Sequence, residues 1–241
     1  IKREEGRTIG AVHEVEEWLG LTGLIRMEAF DISNISGYES VGSMVVYEKG
    51  KPKRSDYRKF KIKTVVGPDD YASMQEVVRR RYTRMMEEST PLPDLIITDG
   101  GKGQMEVVRE VIEDELHLTI PIAGLAKDNK HRTHELLYGF PPKVIGLKTE
   151  SPLFKLLTQI QDEVHRYAIT FHRDKRSKHQ IASELDNIPG IGPKTKEMLL
   201  KKYKSLKRIR DLGVEELQET IGADKGRKLY TYLHPGEIKE V

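Results

Sequence analysis

Apolar and polar positions along the chain follow two periods, and the switches between them mark out elements. Leu24 to Ile32 is strand-like, and Val41 to Tyr47 carries the β-branched and aromatic content of a second strand, with Glu48-Lys49-Gly50-Lys51-Pro52 behind it as a hairpin turn. From Tyr57 to Val65, Tyr57, Lys59 and Lys61 alternate with Arg58, Phe60 and Ile62, the period of a half-exposed third strand. Gly67-Pro68-Asp69-Asp70 then reads as a turn ending in an N-cap acid. Met74, Val77, Val78, Tyr82 and Met85 recur at helical spacing until Pro91 and Pro93 stop the pattern. Leu95-Ile96-Ile97 is a short buried strand ending at Thr98-Asp99-Gly100-Gly101, and Lys102 opens a helix with Val107, Val108, Val111 and Ile112 inward. Ile120 to Leu125 and Glu135 to Tyr138 offer two more strands. Ser151-Pro152 begins a long helix, a Ser N-cap with Pro in the first turn.

Three antiparallel strands, a crossover helix, a parallel strand, a helix, one or two further strands and a long helix is the element order of an α/β, ribonuclease H-like mixed sheet. Past about residue 180 the pattern changes. The long helical stretch ending in Arg173-Asp174-Lys175-Arg176-Ser177-Lys178-His179 gives way to short helical segments punctuated by Gly and Pro. The expected division is a ribonuclease H-like domain over 1–176, a basic linker over 177–183 and a small all-α domain over 184–241. A chain of 241 residues accommodates a core domain plus a module of that size. With 37% hydrophobic and 33% charged residues it is polar but rich enough in apolar side chains to fold.

Charge matters by location, because 41 Lys and Arg against 38 Asp and Glu leave a net of only +3. From Pro193 to Arg210 eight basic residues face Glu197 alone, a local excess of seven. The chain has no cysteine, which excludes disulfides, thiolate zinc and a cysteine nucleophile and fits a reducing cytoplasm. Any metal is then held by oxygen and imidazole. No apolar run approaches the roughly 18 residues of a membrane span. The first six residues, Ile1 to Gly6, lack an initiator Met and a signal-peptide pattern, so the chain reads as an internal fragment.

In a sheet of this order the first strand is central and the parallel strand lies beside it, which makes Asp31 and Asp99 neighbours after their apolar runs. Two carboxylates that close repel unless a hard divalent cation, Mg²⁺ or Mn²⁺, sits between them. Such a cage permits metal-assisted attack of water on a phosphodiester. Read singly, each acid is also an ordinary turn residue. The long helix buries Leu153, Leu156, Leu157, Ile160, Val164, Ala168 and Phe171 and carries Thr158, Gln161, Asp162, His165 and His172 on or beside its polar side. His165 and His172, two turns apart, are candidates for a ligand or a proton acceptor. Asp69, Asp70 and Glu76, which open the crossover helix, are supporting candidates behind the ligands, although a helix dipole alone favours acids there.

Leu185-Asp186-Asn187-Ile188-Pro189-Gly190-Ile191-Gly192-Pro193-Lys194 looks like a helix-hairpin-helix motif. Its glycines Gly190 and Gly192 let backbone amides approach a phosphate, and Lys194, Lys196 and Lys201 line the following helix. A second, degenerate copy spans Leu217 to Leu233, where Gly222-Ala223-Asp224-Lys225-Gly226 replaces the Gly-x-Gly hairpin. Contacts of this kind go to the backbone and bring salt sensitivity rather than base readout.

Several stretches together resemble the C-terminal half of the UvrC family, the nuclease subunits of bacterial nucleotide excision repair. They are Phe30-Asp31-Ile32-Ser33-Asn34, Gly67 to Met74, Ile96 to Gln104, Gly124-Leu125-Ala126-Lys127, Asp162 to Ile169 and Ile188 to Gly192. The resemblance spans nearly the entire chain. It implies a metal-dependent DNA endonuclease, using Mg²⁺ or Mn²⁺ on Asp31, Asp99 and His165, that incises on the 5′ side of a lesion. It also implies tandem hairpins that bind DNA where paired and unpaired strands meet, with Gly222 in the second. The family's 3′ nuclease domain and the segment that binds its helicase partner UvrB lie before the matching region. Lys102, Lys127 and Arg132 fall in or near the matching stretches and are candidate phosphate contacts. The alternatives are a non-catalytic DNA-binding fragment, or a ribonuclease or resolvase on the same fold.

Overall fold

The computed structural model describes residues 2–35, 39–127, 133–146, 148–186 and 188–234. Strand β1 (Arg26–Ile35) pairs antiparallel with β2 (Glu39–Glu48), and β2 turns into the two-residue β3 (Lys51–Pro52). Lys49 and Gly50 both take positive φ, 50° and 74°, the handedness that lets a two-residue hairpin follow the twist of its strands. A 3-10 turn (Arg54–Asp56) leads to β4 (Arg58–Lys61), which also pairs with β2. The expected third strand is therefore shorter than Tyr57 to Val65. Beyond it, the amides of Lys63 and Thr64 donate to the Glu76 carboxylate instead of to a strand.

Helix α2 (Asp70–Glu87) starts where Asp69 accepts a hydrogen bond from the Ala72 amide at 2.9 Å, the N-cap expected there. It crosses to β5 (Leu95–Thr98), parallel to β1. Helix α3 (Lys102–Arg109) continues as a π-helical turn to Glu115 and returns to β6 (Ile122–Lys127), parallel to β5. Strands β7 (Thr133–Tyr138) and β8 (Lys143–Ile145) complete an eight-stranded mixed sheet in the order β3-β2-β1-β5-β6-β7-β8, with β4 also on β2. Strand β8 adds to the two expected after β5. The result is the ribonuclease H-like arrangement, with β1 central and β5 at its side.

Alternation along β1 decides what each face carries. Glu28 and Phe30 point to α2, where Phe30 meets the Tyr82 ring edge-on at 6.1 Å and Glu28 Oε2 accepts from Tyr82 Oη at 2.8 Å. Glu28 is fully buried and is satisfied by Arg81 at 2.8 Å and Arg26 at 3.1 Å, with Arg26 reaching on to Glu48 and Asp56. Asp31 points to the opposite face, which α4 (Pro152–Asp186) covers with Leu153, Leu156, Leu157, Ile160 and Val164. Helix α1 (Lys2–Leu19) has no counterpart among the elements read from the sequence. Its buried positions, Ala11, Val12, Val15 and Leu19, form a helical stripe diluted by charge, and Glu14 accepts from the Leu153 amide at the start of α4.

Two compact units, residues 1–169 and 170–241, divide within α4. The segment 177–183, expected as a linker, is helix. Residues 171–186 contain neither Gly nor Pro, and Lys, Arg, Gln and Ala all favour helix, so nothing breaks it before Asp186. In the second unit α5 (Pro193–Tyr203), α6 (Leu206–Arg210), α7 (Val214–Ile221) and α8 (Ala223–Leu233) close over Leu185, Ile188, Ile191, Leu199, Tyr203, Ile209, Leu217, Leu229 and Leu233. Both hairpins are helix, turn, helix, with Gly190 at φ 86° and Gly222 at φ 95°. The second hairpin departs in sequence but not in architecture. No helix among the described residues is long and apolar enough to cross a membrane.

Candidate active site

Parallel pairing brings the two acids together. Phe30 and Thr98 are in register on β1 and β5, and the Asp99 amide donates to the Phe30 carbonyl at 3.0 Å, so Asp31 and Asp99 extend side by side from adjacent strands. Asp31 is buried, and the Asp99 side chain is only 6% exposed. The apolar stripe of α4 lies on this face, and the residues flanking it, Gln161 and His165, are one turn apart and reach the same carboxylates. His165 Nδ1 lies 3.3 Å from Asp31 Oδ2 and its Nε2 lies 2.9 Å from Asp99 Oδ2. One ligand atom from each of Asp31, Asp99 and His165 fits within 4.8 Å of the others, and no other such group of acids and histidines occurs among the described residues.

Gln161, 3% exposed, donates from Nε2 to Asp99 Oδ1 at 2.6 Å. Lys127, from the end of β6, donates to Asp99 Oδ2 at 3.0 Å and touches His165 Nε2. Gly124, three residues earlier, faces the Asp99-Gly100 turn. A Cβ there would lie 2.8 Å from the Gly100 carbonyl oxygen and from Met105 Sδ, so a side chain would push the turn away.

The electrostatics follow from this crowding. Burial pushes the Asp31 carboxyl above its ordinary value, and the nearby Asp99 charge adds to that, against the hydrogen bond from His165. Burial also pushes Asp99 up, but the hydrogen bonds from His165 and Gln161 and the charges of His165 and Lys127 outweigh it, leaving Asp99 below the usual range. Hydrogen bonds to Asp31 and then Asp99 raise His165 to about 9 in spite of its burial. The donor set, two carboxylates and one imidazole, fits a hard divalent cation. His165 and Lys127 are the basic side chains set against the two carboxylates.

The other candidates lie elsewhere in this unit. Asp69 caps α2, Asp70 accepts from Asn34 Nδ2 at 3.0 Å, and Glu76 anchors the 63–64 backbone and stands 3.5 Å from Arg80. These acids organise the turn beside β1 and are not part of the three-residue cluster. Lys102 is exposed at the first turn of α3. The His172 side chain and Arg132 lie outside the described residues. Gln161 was not among the candidates; its spacing of four from His165 was the available signal. In the second unit Lys194 and Lys201 are exposed on α5, whereas Lys196 pairs with Asp186. The Lys228 chain end lies 4.0 Å from where a Gly190 side chain would begin, adding a basic residue to the first hairpin.

The family models and the curated relatives point to one family. The UvrC RNAse H endonuclease domain matches residues 16–169 and the SAM-like helix-hairpin-helix tandem matches residues 182–234. UvrABC system protein C of Bacteroides thetaiotaomicron is 65% identical over 92% of this chain and 37% of its own length. That of Bacteroides fragilis is 64% identical over the same shares. The chain thus spans little more than a third of the curated relatives it matches. Among solved structures, human ENDOV is 11% identical with a TM-score of 0.41, over 73% of this chain and 98% of its own. Marinitoga piezophila Argonaute with guide RNA is 11% identical with a TM-score of 0.32, over 56% and 25%. With its sheet domain and its tandem hairpins both matched, and in that order, the chain belongs to the UvrC endonuclease family.

Proposed function

We propose that the first unit is a metal-dependent DNA endonuclease that makes the 5′-side incision next to damaged nucleotides in nucleotide excision repair. The observation that carries this is the convergence of Asp31, Asp99 and His165, far apart in sequence, onto one space less than 5 Å across. Mg²⁺ or Mn²⁺ bound there supplies charge neutralisation at the scissile phosphate and a more acidic water. The residues around it do the positioning. Gln161 holds one oxygen of Asp99 so that the other faces the site, and His165 presents Nε2 toward the same point. Asp31, in a poorly solvated position, is an uneasy anion on its own and gains most from a cation.

The second unit is proposed as the DNA grip. Its hairpin turns carry left-handed glycines and its α5 helix exposes Lys194 and Lys201, so it fits a phosphate backbone near the junction of paired and unpaired strands. Association with UvrB is proposed for the whole protein, through a segment outside this chain, in the cytoplasm.

The test is incision of a nicked or bubble-containing damaged duplex by the 241-residue chain with Mg²⁺ or Mn²⁺. Asp31→Ala and Asp99→Ala should abolish cutting while DNA binding persists. Undiminished cutting by either variant refutes the assignment. Cutting confined to RNA would favour the ribonuclease alternative.

A further inference from the structure

Lys127, a candidate phosphate contact, turns inward onto the cluster of Asp31, Asp99 and His165. Its Nζ lies 3.0 Å from Asp99 Oδ2, the oxygen that also receives His165 Nε2 at 2.9 Å, and it touches that nitrogen as well. The side chain is 24% exposed, so the chain end has a route to solvent.

A cation ligated by Asp99 Oδ2 would stand about 2 Å from that oxygen. The Lys127 ammonium stands against both atoms that would face such an ion, Asp99 Oδ2 and His165 Nε2, so an ion held by both would take its place. The ammonium offers no lone pair to the metal, and like charges at such separation repel strongly in a partly buried site. Lysine, with a four-carbon flexible stem, is suited to leave.

Taking the cluster to be the metal site proposed above, we propose that Lys127 is a built-in counter-cation. It neutralises Asp99 while the site is empty of metal, competes with the incoming ion, and on displacement turns its ammonium outward to a DNA phosphate. Metal binding and backbone binding are thereby coupled through one side chain, and the coupling is reciprocal.

The experiment is calorimetric titration of Ca²⁺ and Mn²⁺ into the full 241-residue chain, comparing wild type with Lys127→Met, Lys127→Arg and Asp31→Asn. Lys127→Met keeps the stem and loses the charge, so it should bind the ions about tenfold more tightly or better. Lys127→Arg, still cationic, should stay near wild type and control for disturbed folding. Saturating Ca²⁺ should strengthen binding of a DNA duplex by the wild type and do so less in Lys127→Met. Metal binding by Lys127→Met that is equal to or weaker than wild type overturns the counter-cation role. If Asp31→Asn abolishes metal binding at the same time, only the lysine inference falls. If Asp31→Asn leaves the wild-type titration unchanged, the metal site itself is misassigned and both fail.

Discussion

Gln161 and His165, one turn apart on α4, hold opposite oxygens of a single carboxylate: Gln161 Nε2 donates to Asp99 Oδ1 at 2.6 Å, and His165 Nε2 lies 2.9 Å from Asp99 Oδ2. The carboxylate of a strand end is thereby oriented by a helix that packs on the other side of the site. Partners of this kind fix a ligand's direction and are worth about 10- to 100-fold in metal affinity.

Gln161→Leu should therefore weaken metal binding by roughly 10-fold or more without unfolding the chain, since the leucine fills a similar volume. Titration of Mn²⁺ with a circular dichroism control checks it, and unchanged affinity would remove Gln161 from the site.

The raised value of His165, about 9, sets the sign of two pH effects. In metal-free protein its stabilisation is fully present below the ordinary value near 6.5 and is lost as pH rises through about 9. Because a ligand nitrogen must be neutral, a metal held by His165 would expel this proton and should bind more strongly over the same window. Stability of chelator-treated protein should fall between pH 6.5 and 9 in the wild type and less so in His165→Ala. Calorimetry in two buffers of different ionisation heat should report proton release on metal binding; no release would contradict the assignment.

Glu28 lies on the other face of β1, fully buried among Arg26, Arg81 and Tyr82. Glu28→Ala leaves two guanidinium groups and a phenol facing an empty place and should cost about 3–5 kcal/mol. Tyr82→Phe, which removes one hydrogen bond, should cost about 1–2 kcal/mol. Denaturant unfolding separates the two, and similar losses would mean that the charges are solvated in practice.

Gly226 packs α8 against α7 so closely that a Cβ would stand 2.5 Å from the Gln218 Cα and amide nitrogen. Both are backbone atoms, so relief requires the helices to part. Gly226→Ala should destabilise the second unit by about 1–3 kcal/mol and loosen the second hairpin. Lys194→Ala, by contrast, leaves stability alone and should lower the salt dependence of DNA binding by about one phosphate contact.

Much of the sheet domain is legible in local pattern because burial imposes a period on it. The stripe from Met74 to Met85, the buried run Leu95 to Ile97 and the Asp69 cap all match their elements. Helix α1 is not so legible, since its four buried residues sit among charged neighbours, and the helix through 177–183 hides behind a basic run that looks like a linker. The element order placed Asp31 and Asp99 on adjacent strands, whereas the polar side of the long helix offered His165 and His172 alike, and the resemblance to the UvrC family singled out His165.

That Asp31 and Asp99 follow apolar strand runs, that a chain without cysteine offers a metal only oxygen and imidazole, and that the hairpins turn on glycine are legible in the chain of residues alone, because each reflects a local constraint on backbone or donor type. Tertiary structure alone decided that Gln161 steers Asp99, that Glu76 anchors a loop, and that Lys127 turns inward onto a carboxylate. These depend on which side chains from α4, α2 and β6 meet, and distances between elements are set by packing rather than by any period along the sequence.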